Sequence, residues 1–484
     1  MRGAIWLVGV RWLLRGLGLI SISVLARLLT PADFGIVAMA MIVVALVDVM
    51  RDFGIDMALI RLRDIELRHY HTAWTLALGA GLVSATLLLM TAPVAAWYFD
   101  DHRLRTVISV LALVPVLSGL ENIKTVDFRR NFNFRGEFVF NLVSRVISVG
   151  ASIALALWLR SYWALVYGTL AQACIRLAVG YAMVPFLPRL SLRAARELWS
   201  FSVWILVRSI SQIVTTKIDQ IVIGRLFGAT DLGGYNTGRE ITSMATLEVV
   251  LPLGRALLPG YAKILGESGR LQRAYEKVLS FHFIIGLPLG VGFSLVAHDL
   301  VPLLLGHQWL GFIPVFQVLA LAGGITAVGS AAGPLLIATG EVRTLALITW
   351  AELGISLLVV GAIAAGGGHI VALAWGRLGI SAIVAVAFVA VSAGVLGLSA
   401  LRAAQLLIRP IGAVTAMAGA VVAANLATGP SPWFSLLVEV VTGAAVYGCA
   451  LFVLWTAMGR PEGAEKDILE ELAGLRRLAR RGAS

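Results

Sequence analysis

Apolar stretches of about 20 residues recur along nearly the whole chain, broken by short arginine-rich links. A hydrocarbon core about 30 Å thick is crossed by roughly 20 residues of helix. Inside it, every backbone N–H and C=O must be bonded within the spanning structure itself. Charged residues make up only 14% of the 484 positions, against about 25% in a soluble domain, so the polar surface that water requires is missing. The expectation is an all-α membrane protein of about fourteen transmembrane helices, not a soluble enzyme.

The net charge of +12 does not point to nucleic acid, because the basic residues crowd into alternate links. Links 61–71, 124–135, 189–196 and 263–277 each carry several Arg or Lys, whereas 30–33, 228–233, 306–311 and 429–432 carry none. This is the positive-inside pattern, and it places the arginine-rich links and both termini in the cytoplasm. Cys174 and Cys449 lie far apart within apolar spans and imply no disulfide framework. Met1-Arg2-Gly3 leads into a first span that carries Arg11 and Arg15, unlike a cleaved signal peptide.

An internal repeat organises these spans. Ala26-Arg27-Leu28-Leu29-Thr30-Pro31-Ala32-Asp33-Phe34-Gly35 matches Gly224-Arg225-Leu226-Phe227-Gly228-Ala229-Thr230-Asp231-Leu232-Gly233, 198 residues further on. In each copy Arg-Leu closes a span, a tight turn without basic residues follows, and an Asp is placed to cap the next helix. An even number of spans separates the copies, so both halves enter the membrane from the same side, as in transporters built from parallel repeats. The expected organisation is an N-terminal six-helix lobe over residues 1–199 and a C-terminal six-helix lobe over 200–400. Two accessory helices follow over 401–458. In the tail 459–484, Ile468, Leu472, Leu475 and Ala479 beside several Arg would form an amphipathic cytoplasmic helix.

The run Asp219-Gln220-Ile221-Val222-Ile223-Gly224-Arg225-Leu226-Phe227-Gly228, continuing to Gly233-Gly234-Tyr235, resembles the start of the second lobe in bacterial polysaccharide flippases. These belong to the multidrug/oligosaccharidyl-lipid/polysaccharide exporter superfamily. Residues 28–35, Asp52-Phe53-Gly54 and Ala58-Leu59-Ile60 are similar to that family's first hairpin. The links 128–135 and 306–309 and the later Ala338-Thr339-Gly340 extend the likeness. The resemblance implies translocation of undecaprenyl-pyrophosphate-linked oligosaccharides to the outer leaflet of the bacterial inner membrane, for O-antigen, exopolysaccharide or capsule. Alternating access of two lobes around a cationic cavity would perform it. A lipid II flippase and an ion-coupled drug exporter of the same fold stand as alternatives, and polysaccharide polymerase or assembly proteins are the implied protein partners.

A charge within a span costs several kcal/mol unless it faces a cavity or a partner, and guanidinium groups suit a pyrophosphate through bidentate contacts. The cargo candidates are therefore Arg51, Arg145, Arg208, Gln212, Lys217, Arg239 and Arg255. Arg208, Gln212, Thr215 and Asp219 share one helix face by spacing, which is either a wet cavity wall or an interhelical hydrogen-bond seam. Asp48, Asp52 and Asp56 recur every four residues and, with Asp219, are the candidates for coupling to H⁺ or Na⁺; the competing reading is a helix cap paired with Arg51. Arg27, Asp33, Arg225 and Asp231 hold equivalent repeat positions with a structural or gating role, the two Arg also being placed to snorkel to the interface. Arg176 and Arg377 are further basic candidates, with Glu121, Glu240, Glu248 and Glu352 as neutralising partners. No nucleotide, metal or catalytic motif is present, so no cofactor or metal is expected.

Overall fold

In a computed structural model of the chain, the described residues are 2–49, 58–60, 62, 64–131, 133–195, 197, 203–427, 432–460 and 465–466. The chain divides into two compact units, Met1–Asn236 and Thr237–Ser484. The first holds α1 (Arg2–Leu28), α2 (Pro31–Asp48), α3 (Leu67–Phe99), α4 (Arg103–Leu111), α5 (Leu113–Gly119), α6 (Asp127–Arg130), α7 (Phe134–Leu159) and α8 (Trp163–Met183). Helix α9 (Val203–Ala245) is interrupted at Gly228, where φ is 80° and ψ −174°. The second unit continues with α10 (Leu247–Ala262), α11 (Ser268–Leu305), α12 (Ile313–Gly329), α13 (Ala332–Ala338), α14 (Val342–Ala365), α15 (Ile370–Leu396), α16 (Ala400–Ala427) and α17 (Pro432–Ala457).

Among the described residues, 10 helices are long and apolar enough to cross a membrane. The count reaches 11 if the pair 103–119 and 123–130, bent by 64°, is one span. The sequence reads a straight span there and about fourteen in all. The bend arises where Glu121 and Asn122 interrupt the helix, the Asn122 carboxamide donating to Gly180 O at 3.1 Å and to Val184 O at 2.6 Å. Side chains such as Trp97, Trp158, Leu358 and Leu426 are more than 70% exposed. Such a surface is untenable in water and is the expected lipid-facing coat of a membrane bundle.

Within the first unit, the links sort by end as their arginine content predicts. At one end Asp33 accepts the Tyr162 N–H at 2.9 Å, joining the arginine-free link 30–33 to the link after α7. Asp33 also accepts from the Thr30 N–H at 2.9 Å and Thr30 Oγ at 2.6 Å, completing a capping box at the start of α2. Nearby, burial disfavours charge on Asp101, but hydrogen bonds from Arg103 hold its carboxyl below the usual range. At the opposite end the arginine-rich links meet: His69 pairs with Glu197 at 3.1 Å, and the Tyr70 hydroxyl donates to Asp127.

Both units share a close helix crossing that no stretch of sequence identity announces. In the first, Gly81 of α3 lies against Pro115 O of α5, and Gly119 against Ala77 O. In the second, Gly290 of α11 lies against Ala320 O of α12, and Gly324 against Gly286 O. Each pair of contacts is reciprocal and spaced four residues on both helices, so the same small-residue seam is built twice. The second unit also contains a bend after α9. There Thr242 and Thr246 both return their hydroxyls to the carbonyl four residues back, at 2.8 Å each, an interaction that bends helices. The last pair, α16 and α17, packs on α11, where Tyr447 Oη donates to Ile284 O at 2.7 Å.

Arg377 of α15 meets Glu352 of α14 at 3.1 Å, each side chain only 19% exposed. Removing one member of a buried pair costs far more than replacing both. Glu352→Gln should therefore destabilise the purified protein by about 2–3 kcal/mol, at or below the low end of the roughly 3–5 kcal/mol lost when a fully buried pair is broken, because this pair is partly exposed. The double change Glu352→Leu/Arg377→Leu should be nearly neutral, a contrast that thermal unfolding in detergent measures directly.

Candidate functional site

A cavity of about 250 Å³ opens within the first unit. Helix α7 contributes Arg145, Ser148, Val149 and Ser152, and α8 contributes Leu165, Gly168, Thr169 and Gln172. Both sets follow the i, i+3, i+4, i+7 spacing of one helix face. Helix α1 adds Ser21 and Leu25, α2 adds Phe34, Val37, Ala38 and Met41, and Asn236 of α9 closes the lining. Gly168 matters to this shape. A Cβ there would stand 2.8 Å from Ser152 Oγ, so the missing side chain lets α7 and α8 approach and leaves the hydroxyl room.

The lining holds one cation and no carboxylate. Arg145 is half-buried, and among the described residues neither a hydrogen bond nor an ion pair engages its guanidinium. That separates it from Arg176 and Arg377. Arg176 is held by Glu121 through contacts of 3.3 and 3.4 Å and stacks over Phe140; Arg377 is held by Glu352. A guanidinium kept from water without a carboxylate offers its donors to whatever enters the cavity.

The remaining sequence candidates are dispersed. Lys217 of α9 donates to Gln220 Oε1 at 3.0 Å, and Gln220 Nε2 donates to Asn236 Oδ1 at 2.7 Å, a chain that ends on the cavity wall. Asp219 is buried beside Gln220, and Asp48 is half-buried at the end of α2. Arg27 and Arg225 are exposed, Arg225 lying 5.9 Å over the Tyr98 ring. Arg239 belongs to the second unit. Arg51, Asp52 and Asp56 lie outside the described residues, as do the side chains of Arg208, Gln212, Thr215 and Arg255 and the whole of the tail stripe. Sequence reasoning passed over Ser21, Ser148, Ser152, Thr169, Gln172, Gln220 and Asn236. The polar stripe that drew attention to the seventh span was equally present in the fifth.

The repeat itself acquires a geometry. The interruption at Gly228 aligns with Thr30, the cap of α2, so both copies are helix–break–helix. The two breaks also touch reciprocally. A Cβ on Gly35 would overlap the carbonyl oxygen of Ala229, and a Cβ on Gly233 would overlap that of Pro31, the repeat equivalent of Ala229. Both close approaches lie within the first compact unit, Met1–Asn236.

Long apolar helices with a lipid-facing coat, a polar cavity and a twofold internal repeat define a flippase-like membrane transporter. It has the fold of the multidrug/oligosaccharidyl-lipid/polysaccharide exporter superfamily. The chain belongs to the polysaccharide biosynthesis protein family, whose model matches residues 24–314. It is 27% identical over 352 residues to the lipopolysaccharide biosynthesis protein WzxC of Escherichia coli K12, covering 70% of each chain. It is 27% identical over 356 residues to the succinoglycan biosynthesis transport protein ExoT of Rhizobium meliloti, covering 72% of this chain and 71% of that one. In structure it is similar to the lipid II flippase MurJ in an inward closed conformation, with TM-score 0.72 at 10% identity over 94% of this chain and 99% of that one. An inward-facing multidrug resistance transporter of the MATE family aligns with TM-score 0.59 at 13% identity, covering 81% and 94%. At such identities the two structures establish the shared fold.

Proposed function

We propose that this protein is a flippase for undecaprenyl-pyrophosphate-linked oligosaccharide units, feeding O-antigen, exopolysaccharide or capsule assembly from the inner to the outer leaflet. The observation that carries this reading is Arg145, a guanidinium unengaged among the described residues in a cavity whose other polar groups are neutral hydroxyls and amides. Such a cavity receives an anion and sugar hydroxyls and repels cationic drugs. The relatives named for lipopolysaccharide biosynthesis and succinoglycan transport support the same cargo class. The polyprenyl chain stays in lipid while the head group passes.

In this reading the lobes are residues 1–199 and 200–400, with 401–458 accessory and 459–484 a cytoplasmic tail. Both termini face the cytoplasm of the bacterial inner membrane. The reciprocal hairpins around Gly35 and Gly233 close the outer face, and H⁺ or Na⁺ binding at Asp48, Asp52, Asp56 or Asp219 biases the switch. Lipid-linked oligosaccharide and membrane lipids are the partners, together with polymerase or assembly proteins. The test is translocation in proteoliposomes with three cargoes: pyrophosphate-linked oligosaccharide, lipid II and a cationic dye. Movement of the oligosaccharide alone is the expected result. Export of the dye without the oligosaccharide would overturn the proposal, and preference for lipid II would replace the cargo while keeping the flippase.

A further inference from the structure

Helix α8 ends at Met183, and the chain from Val184 to Leu192 runs without helix toward α9. This segment is strapped across the first turns of α3. The Arg189 N–H donates to His71 Nδ1 at 3.1 Å, the Ser191 N–H to Thr75 Oγ at 3.0 Å, and the Ala194 N–H to Thr72 Oγ at 3.3 Å. Glu197 then reaches His69 Nε2 at 3.1 Å. Phe186 is buried, stacked on His71 with centroids 5.4 Å apart and edge-on to Tyr70. Asn122 holds the Val184 carbonyl. The depth of the strap is therefore set by two spans at once, since it starts one residue beyond the end of α8 and lies against the start of α3.

At that depth, three leucines point away from the protein. Leu187 is 87% exposed, Leu190 77% and Leu192 62%. Arg189 and Arg193, both exposed, alternate with them. Each leucine left in water forgoes the burial of its apolar side chain. The boundary between acyl chains and phosphates accepts both kinds of side chain: leucine goes below and arginine meets anionic head groups.

We infer that residues 184–194 are an interfacial strap, with Leu187, Leu190 and Leu192 inserted into the leaflet at the arginine-rich end and Arg189 and Arg193 bound to anionic phospholipid. The strap is the connection between α8 and α9, so the charge of that leaflet acts on the segment joining the two repeat halves. The inference rests on the membrane-spanning fold and stands independently of the cargo.

The test uses the full chain with Cys174→Ser and Cys449→Ser, carrying one spin label at a time through Leu187→Cys, Leu190→Cys, Leu192→Cys or, as an aqueous reference, Arg135→Cys. In nanodiscs containing phosphatidylglycerol, labels at 187, 190 and 192 should collide several-fold more with oxygen than with a water-soluble nickel chelate, and the label at 135 should show the reverse. Replacing phosphatidylglycerol by phosphatidylcholine should reduce the preference at all three positions, and Arg189→Gln/Arg193→Gln should remove this lipid dependence without changing elution on size exclusion. Chelate-dominated collisions at all three positions in both lipids would place the strap in water and overturn the inference. Lipid dependence that persists in the double variant would overturn the arginine–phospholipid contact.

Discussion

On the proposed gating by the repeat breaks, Gly35→Val should raise the access of an external reagent to the cavity by about 5- to 150-fold. The reason is steric. The added Cβ would overlap the Ala229 carbonyl, a backbone atom that no rotamer change can move, so the hairpins must separate. Overpacking of this kind costs about 1–3 kcal/mol, and the cost falls only on the state in which the hairpins touch. Gly233→Val meets the Pro31 carbonyl in the same way and should have the same effect. The two changes strain one shared contact, so together they should act less than additively. Gly79→Ala is the control, since a Cβ there meets nothing within 4 Å. The reporter is a cysteine at Ser21, a cavity residue, in a background lacking Cys174 and Cys449. Its labelling by a membrane-impermeant maleimide from the arginine-poor side gives the opening. Labelling that stays at the wild-type rate in both valine variants would sink the gate.

Arg145→Ala should cut cargo translocation by about 10- to 150-fold, the equivalent of losing about 1.5–3 kcal/mol of hydrogen bonding to a charged group. Arg145→Lys should fall between, because a lysine keeps the charge and loses the planar fork that grips two oxygens. The folded protein should not notice either change. Among the described residues no partner is left behind when Arg145 is shortened, so the unfolding temperature should hold or rise. Glu352→Gln should do the opposite, weakening the fold through Arg377. A loss of translocation by Arg145→Ala that tracks a loss of stability would show that the arginine braces the bundle and binds no cargo.

The fifth span shows how much of the site was readable beforehand. Arg145 stood out because a charge in an apolar helix is costly. Ser148 and Ser152, one and two turns away, did not, because hydroxyls barely change hydropathy and can bond their own helix, as Ser148 does to Ser144 O at 2.6 Å. The spacing was available; the weight of the signal was not. The Arg-Leu…Asp-x-Gly repeat was readable in full, together with the role of Asp33 at the start of α2. In the second copy the turn is carried by Gly228, whose non-helical backbone separates two helices.

The sequence by itself determined the membrane-spanning class, the sorting of links between two ends and the internal repeat. The first two follow from properties each segment carries alone, its length, hydropathy and charge, and the repeat follows from matching residues in two segments. Among the described residues, tertiary structure alone decided which arginines meet a carboxylate, Arg176 with Glu121 and Arg377 with Glu352. The fate of a guanidinium depends on a carboxylate from elsewhere in the chain, 55 residues away for Arg176 and 25 for Arg377, and among the described residues none lines the cavity beside Arg145. It also decided the meeting of Gly35 with Ala229 and of Gly233 with Pro31. A glycine's lack of a side chain is written in the chain, whereas the backbone that occupies the vacant space comes from a helix almost 200 residues distant.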